Sequence, residues 1–100
     1  MIVVAGTLRV PPEKIAEAKP HIERVITGSR AEPGCVIYSF GFDVLEEGLV
    51  RVFEVYRDQA ALEAHRNSEH FKAWRASNPG IGVHDRQITV YQVSDARTVS

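Results

Sequence analysis

The sequence predicts an α+β domain in which four antiparallel strands carry two helical segments on one face. Three observations lead there. Segments of alternating, β-branched, apolar residues alternate with segments of helical period in the order β-α-β-β-α-β. The two middle strands are joined only by the short loop 44–48, which implies an antiparallel hairpin. Both parities of these strands carry large apolar side chains, so both sheet faces need cover.

The first strand is expected over residues 2–10, I-V-V-A-G-T-L-R-V, and Pro11-Pro12 stops it. Pro12 suits the first turn of a helix over 12–31. There Ile15, Ala18, Ile22, Val25, Ile26 and Ser29 fall on one stripe roughly 100° wide. Pro20 lies nearly opposite that stripe, where it either bends one helix or separates two shorter pieces. Glu32-Pro33-Gly34 is a turn. The second strand, 35–43, puts Val36, Tyr38, Phe40 and Phe42 on one face and Cys35, Ile37, Ser39 and Gly41 on the other. The third, 49–57, has Leu49, Arg51, Phe53 and Val55 on one face and Val50, Val52, Glu54 and Tyr56 on the other.

Asp58 is a good N-cap for the next helix. A single helix over 58–76 would set Trp74 opposite His65, so a break at Asn67-Ser68 is expected, with Ser68 capping a second short piece. Asn78-Pro79-Gly80-Ile81-Gly82 is a loop, and 84–93 form the last strand. The folded domain therefore spans 1–93, with a polar tail at 94–100. The element order matches the ferredoxin-like split unit. The simplest cover for its bare sheet face is a second copy, as a two-fold homodimer.

Composition narrows the function classes. One hundred residues make one domain. The net charge is −1, from 12 Lys+Arg against 13 Asp+Glu, with no basic stripe, so nucleic acid and anionic membranes are poor partners. Cys35 is alone, which excludes an internal disulfide and multi-cysteine metal sites and reads as a small buried hydrophobe. No apolar run approaches the ~20 residues of a membrane span, and the N-terminus lacks the basic region of a signal peptide, so a cytoplasmic location is the default expectation.

The chemistry concentrates between Glu54 and Trp74, where a carboxylate and a phenol are followed by His65, His70, Phe71 and Trp74. Apolar surface holding a few ionisable groups is what a small-molecule pocket needs. His65 titrates near neutrality and suits a general base. Glu54, in the middle of an apolar strand, needs a partner: Arg51, Arg86 or Arg9 in a structural role, or His65 or a substrate hydroxyl in a functional one. Tyr38, Phe71 and Trp74 are core residues that can also wall a flat substrate. Lys72 and Arg75 read as a solvated face. His65 and His70, five apart, share no helix face, and Glu69 next to His70 does not complete a metal motif, so neither proximity nor a metal site is expected. No phosphate loop, nucleophile elbow or dinucleotide fingerprint is present, so no cofactor is expected.

Ala31-Glu32-Pro33-Gly34-Cys35 leading into Tyr38, then Glu54-Val55-Tyr56, then Ala64-His65-Arg66-Asn67-Ser68-Glu69-His70-Phe71 resemble the antibiotic biosynthesis monooxygenase domain across residues 2–93. That family consists of dimeric α+β barrels and includes quinol monooxygenases and anthrone oxygenases. The resemblance implies a cofactor-independent monooxygenase that oxidises a quinol, phenol or anthrone with O2. It implies His65 as base, Glu54 or Tyr38 as orienting group, and Tyr38, Tyr56, Phe71, Trp74 and Thr7 about the substrate. Tyr56 stands where many members carry tryptophan. The haem-degrading branch uses an asparagine, a tryptophan and a histidine ligand where this chain has Thr7, His65 and Arg75, which argues against haem. Some relatives isomerise small sugars or lactones, so an isomerase of a hydroxy-ketone or lactone is the alternative, and a non-catalytic binding module the third.

Overall fold

A computed structural model describes all of residues 1–100. Strands β1 (Ile2–Arg9), β2 (Cys35–Phe42), β3 (Leu49–Tyr56) and β4 (His84–Gln92) form one sheet in the order β2-β3-β1-β4, every neighbouring pair antiparallel. Helices α1 (Ile15–Arg30), α2 (Gln59–Arg66) and α3 (Glu69–Ser77) supply the second layer. This is the expected ferredoxin-like α+β arrangement. Residues 94–100 form no helix or strand and are exposed. No helix is long and apolar enough to cross a membrane.

The first helical segment begins with a single 3-10 turn at Pro12–Lys14 and continues as α1 without a break through Pro20. The missing amide falls on the exposed side, where water meets the freed carbonyl, so the helix tolerates it. Ala18, Ile22, Val25 and Ser29 of the anticipated stripe are buried. Asp58 caps α2, its Oδ1 accepting from Ala61 N at 2.9 Å. Ser68 caps α3, its Oγ accepting from Phe71 N at 3.2 Å and donating to the His65 carbonyl at 2.6 Å. The expected break is therefore built by one hydroxyl that ends one helix and starts the next.

The register assigns the faces. Val4 pairs with Glu54 and Val90, and Tyr38 pairs with Glu54, so these four residues point to the helical side. Thr7 pairs with Arg51 and Gln87 on the opposite side. β2 departs from simple alternation. A register shift between Cys35 and Ile37 extrudes Val36, which is 60% exposed, so Val36 does not share the buried face with Tyr38 as its spacing suggests. Phe42, at the strand end, is also exposed. Cys35 is half-buried against the core, and burial first, then the charge of Glu32, pushes its thiol up to about 11.

On the open face Ile37, Phe53 and Tyr91 are each more than two-fifths exposed, while the inner core packs Ile2, Val4, Leu8, Val52, Tyr56 and Trp74 beneath the helices. An apolar sheet face left open in a single chain calls for a covering surface.

Candidate active site

His65 lies in the last turn of α2, and its side chain is 1% exposed. Aromatic rings surround it: Phe71 at 4.8 Å between centroids, Tyr56 at 5.2 Å and Tyr38 at 5.3 Å. Nδ1 lies 2.9 Å from Glu32 Oε2, with Ser29 Oγ at 3.5 Å. A carboxylate only accepts, so Nδ1 carries the proton and donates to Glu32. Burial is the main cause that lowers the His65 pKa, against the opposing pull of Glu32, and so favours the neutral ring. Nε2 then holds a free lone pair. It is buried, has no hydrogen-bond partner, and sits 3.9 Å from Glu54 Oε1.

Glu54 is 8% exposed, on the helical side of β3. Its Oε1 accepts from the Tyr56 hydroxyl at 2.6 Å. Burial raises its pKa to about 7, with Glu32 adding and with Tyr56 and Arg66 opposing. The arginine partners considered for it are engaged elsewhere or unbonded to it: Arg51 meets Asp43 at 3.1 Å, and Arg9 meets Glu46 and Asp85. Tyrosine replaces arginine as the partner because Tyr56 lies two residues along the same strand face, whereas Arg51 points to the other side. Burial, and then the Glu54 charge, holds both the Tyr38 and Tyr56 phenols protonated far above their usual range.

His65 and His70 are close in space, contrary to the expectation from their spacing. Their ring centroids are 5.9 Å apart, and His70 Nε2 bonds the same Glu32 Oε2. The i, i+5 argument assumed one continuous helix, and the Ser68 break re-aims the second ring. Gly28 makes room for it: a Cβ there would lie 2.5 Å from His70 Cγ. Glu32 was the residue that local spacing missed. It reaches the histidines from 33 positions upstream of His65. Glu32 Oε2, His65 Nδ1 and His70 Nε2 lie within 4.8 Å of one another and are of metal-binding type. The same Glu32 oxygen bonds both imidazoles.

A cavity of about 310 Å3 opens beside this group, walled by Val4, Leu62, Phe71, Ile88 and Val90 and edged by Glu54, His65, Arg66, Arg75 and Arg86. Of the residues anticipated around a substrate, His65, Glu54 and Phe71 border it. Tyr38 and Tyr56 stand behind them, the first against the His65 ring and the second holding Glu54. Trp74 is not a cavity wall. It is 3% exposed in the core, edge-on to Phe40 at 5.5 Å, because α3 turns its indole down onto β2. Thr7 is excluded by the sheet itself, being on the far face. Arg75, read from sequence as part of a solvated face, lies at the cavity with its guanidinium 5.9 Å above the Phe71 ring. The signal for Arg75 was its i+4 spacing from Phe71. Arg86, considered from sequence as an ion-pair partner of Glu54, borders the same cavity without pairing with it, and the β4 walls gave no signal.

Comparison with known proteins agrees with this architecture. The family profile described as antibiotic biosynthesis monooxygenase matches residues 1–77. An uncharacterised Synechocystis protein, sll1783, is 35% identical over 98 residues, covering 98% of this chain and 67% of its own length. The candidate monooxygenase YcnE of Bacillus subtilis is 33% identical over 76 residues, 76% of this chain and 80% of that protein. A crystal structure of a candidate antibiotic biosynthesis monooxygenase from Deinococcus radiodurans superposes with a TM-score of 0.90 over 100% of this chain and 99% of the other, at 22% identity, a likeness of fold. With a profile match over residues 1–77 and a relative named as a monooxygenase that is 33% identical over 76% of it, the chain belongs to the antibiotic biosynthesis monooxygenase family.

Proposed function

We propose that this protein is a cofactor-independent monooxygenase that oxidises a small electron-rich aromatic (a quinol, phenol or anthrone) with O2. The observation that carries the reading is the orphaned Nε2 of His65, a neutral imidazole nitrogen fixed in one tautomer by Glu32 and set beside a cavity that is apolar on one side and ionisable on the other. A buried acceptor without a donor is costly unless a ligand supplies one. A substrate hydroxyl, or the acidic C–H of an anthrone, is such a donor.

The balance is met by substrate and oxygen alone. For an anthrone-like methylene, His65 takes one proton, and the carbanion passes one electron to O2. The resulting radical pair joins through a C–O bond to give a peroxide. Loss of water, as the remaining C–H proton departs and the O–O bond breaks, leaves a carbonyl. One oxygen atom enters the product and the other becomes water. The protein's share is to remove the proton, exclude bulk water and stabilise the anion, tasks suited to one base and a few fixed dipoles.

A second reading has its own support. Glu54, with its pKa near 7, faces an unprotonated His65 across 3.9 Å, an acid and a base of the kind an isomerase uses. The two readings part in an oxygen electrode. The oxygenase consumes O2 in step with an electron-rich aromatic such as an anthrone or hydroquinone, beyond its autoxidation. Equal turnover of a hydroxy-ketone or lactone under nitrogen would favour the isomerase instead. On the oxygenase reading His65→Gln lowers turnover at least about 100-fold with folding retained, and full activity in that variant would exclude His65 as base.

The working form is proposed to be a homodimer, with the open sheet face of one copy against that of the other. The exposed Ile37, Phe53 and Tyr91 supply the apolar centre of such an interface.

A further inference from the structure

Three arginines reach the same cavity from three different elements: Arg66 from the end of α2, Arg75 from α3 and Arg86 from β4. None of them takes part in an ion pair. Arg9, Arg51 and Arg57, by contrast, each meet a carboxylate within 4.0 Å. Only one carboxylate, Glu54, borders the cavity, and it is already bonded to Tyr56. A chain with net charge −1 has thus gathered three solvent-exposed arginines without ion-pair partners about one half-apolar hollow.

Convergence of like charges raises the free energy of the empty site. Partial burial and the neighbouring charge of Arg75 both weaken the hold of Arg86 on its proton. Arg66 works against protonation of His65 and for ionisation of Glu54. A bound anion would offset the mutual repulsion of the three arginines. Guanidinium also favours planar, bidentate recognition of carboxylate over a diffuse charge. The apolar walls set the rest of the ligand. At a packing density of about 0.74, a 310 Å3 hollow holds ~230 Å3 of molecular volume, about that of two or three fused rings.

We infer that the substrate is an aromatic carboxylate, seated with its ring against Phe71 and Leu62 and its carboxylate held by Arg66, Arg75 and Arg86. This specificity rests on the proposed aromatic-binding role of the same cavity. The anchor would also fix which edge of the ring meets His65 Nε2.

The test measures binding at pH 7 by titration calorimetry with 1-hydroxy-2-naphthoate and its neutral isostere, 1-hydroxy-2-naphthamide. The carboxylate is expected to bind at least tenfold more tightly. The triple variant Arg66→Gln, Arg75→Gln, Arg86→Gln, checked for folding by circular dichroism and melting, is expected to reduce carboxylate affinity to that of the amide. Arg24→Gln, on the far side of α1, is expected to keep the preference. Equal affinity of the two probes in the wild type overturns the carboxylate assignment while leaving the aromatic pocket intact. A preference that survives the triple variant also overturns it. Failure of both probes to bind removes the aromatic reading along with it.

Discussion

Glu54→Gln isolates the electrostatics of the candidate site. Burial raises the Glu54 pKa from 4.5 to about 7. A carboxyl whose folded pKa lies above its unfolded value holds its proton better in the native state. Its stabilising contribution is therefore fully present below pH 4.5 and is lost as pH rises through about 7. The shift of about 2.5 units corresponds to ~3 kcal/mol, at 1.36 kcal/mol per unit. Glu54 is nearly inaccessible to solvent, so little of this is screened away. Glutamine keeps an oxygen that accepts from the Tyr56 hydroxyl but cannot ionise. The stability difference between variant and wild type should therefore shift in the variant's favour by ~3 kcal/mol between pH 4.5 and 8. For a domain of this size the gap in melting temperature should widen by ~10 °C or more. Taking the difference cancels much of the opposing contribution of His65. That ring has a depressed pKa and loses stability as pH falls below 6.5. Thermal melts at matched protein concentration across that pH range supply the measurement. Parallel curves for the two proteins would refute the assignment of a buried, near-neutral carboxyl to this position.

Three other perturbations report on different parts of the structure. Glu32→Ala leaves the buried Nδ1–H of His65 with only the Ser29 hydroxyl, 3.5 Å away, as acceptor and removes the bond to His70. A loss of about 1–3 kcal/mol in urea unfolding is expected, with nitrogen NMR showing His65 no longer held in one tautomer. Gly28→Ala would stabilise an ordinary helix interior by ~1 kcal/mol, but here the new methyl meets the His70 ring, so a lower melting temperature than wild type is expected. Phe53→Arg places a charge in the open sheet face; if the proposed homodimer forms there, light scattering should find dimer for the wild type and monomer for the variant, and an equal mass for the two would argue against that interface.

The fold was legible because its signals are local. Strand alternation, the α1 stripe and the caps at Asp58 and Ser68 each depend on residues within a few positions of one another. Even the helix break followed from where a continuous helix would carry Trp74 relative to His65. Periodicity also fails locally, as at Val36, where a bulge adds a residue that alternation does not count.

The sequence by itself determined the βαββαβ order and the break between α2 and α3, and it pointed to the segment around His65 as the candidate site. The tertiary structure decided what surrounds that histidine. Glu32 fixes its tautomer from a distant turn, Tyr56 takes the place of an arginine beside Glu54, and Arg66, Arg75 and Arg86 converge from three elements. Trp74 and Thr7 went the other way, one into the core and one to the far face. Local patterns set which elements form, because hydrogen bonding and side-chain period act over a few residues. Which charges meet depends on how the finished layers pack, and that packing is set by the whole chain at once.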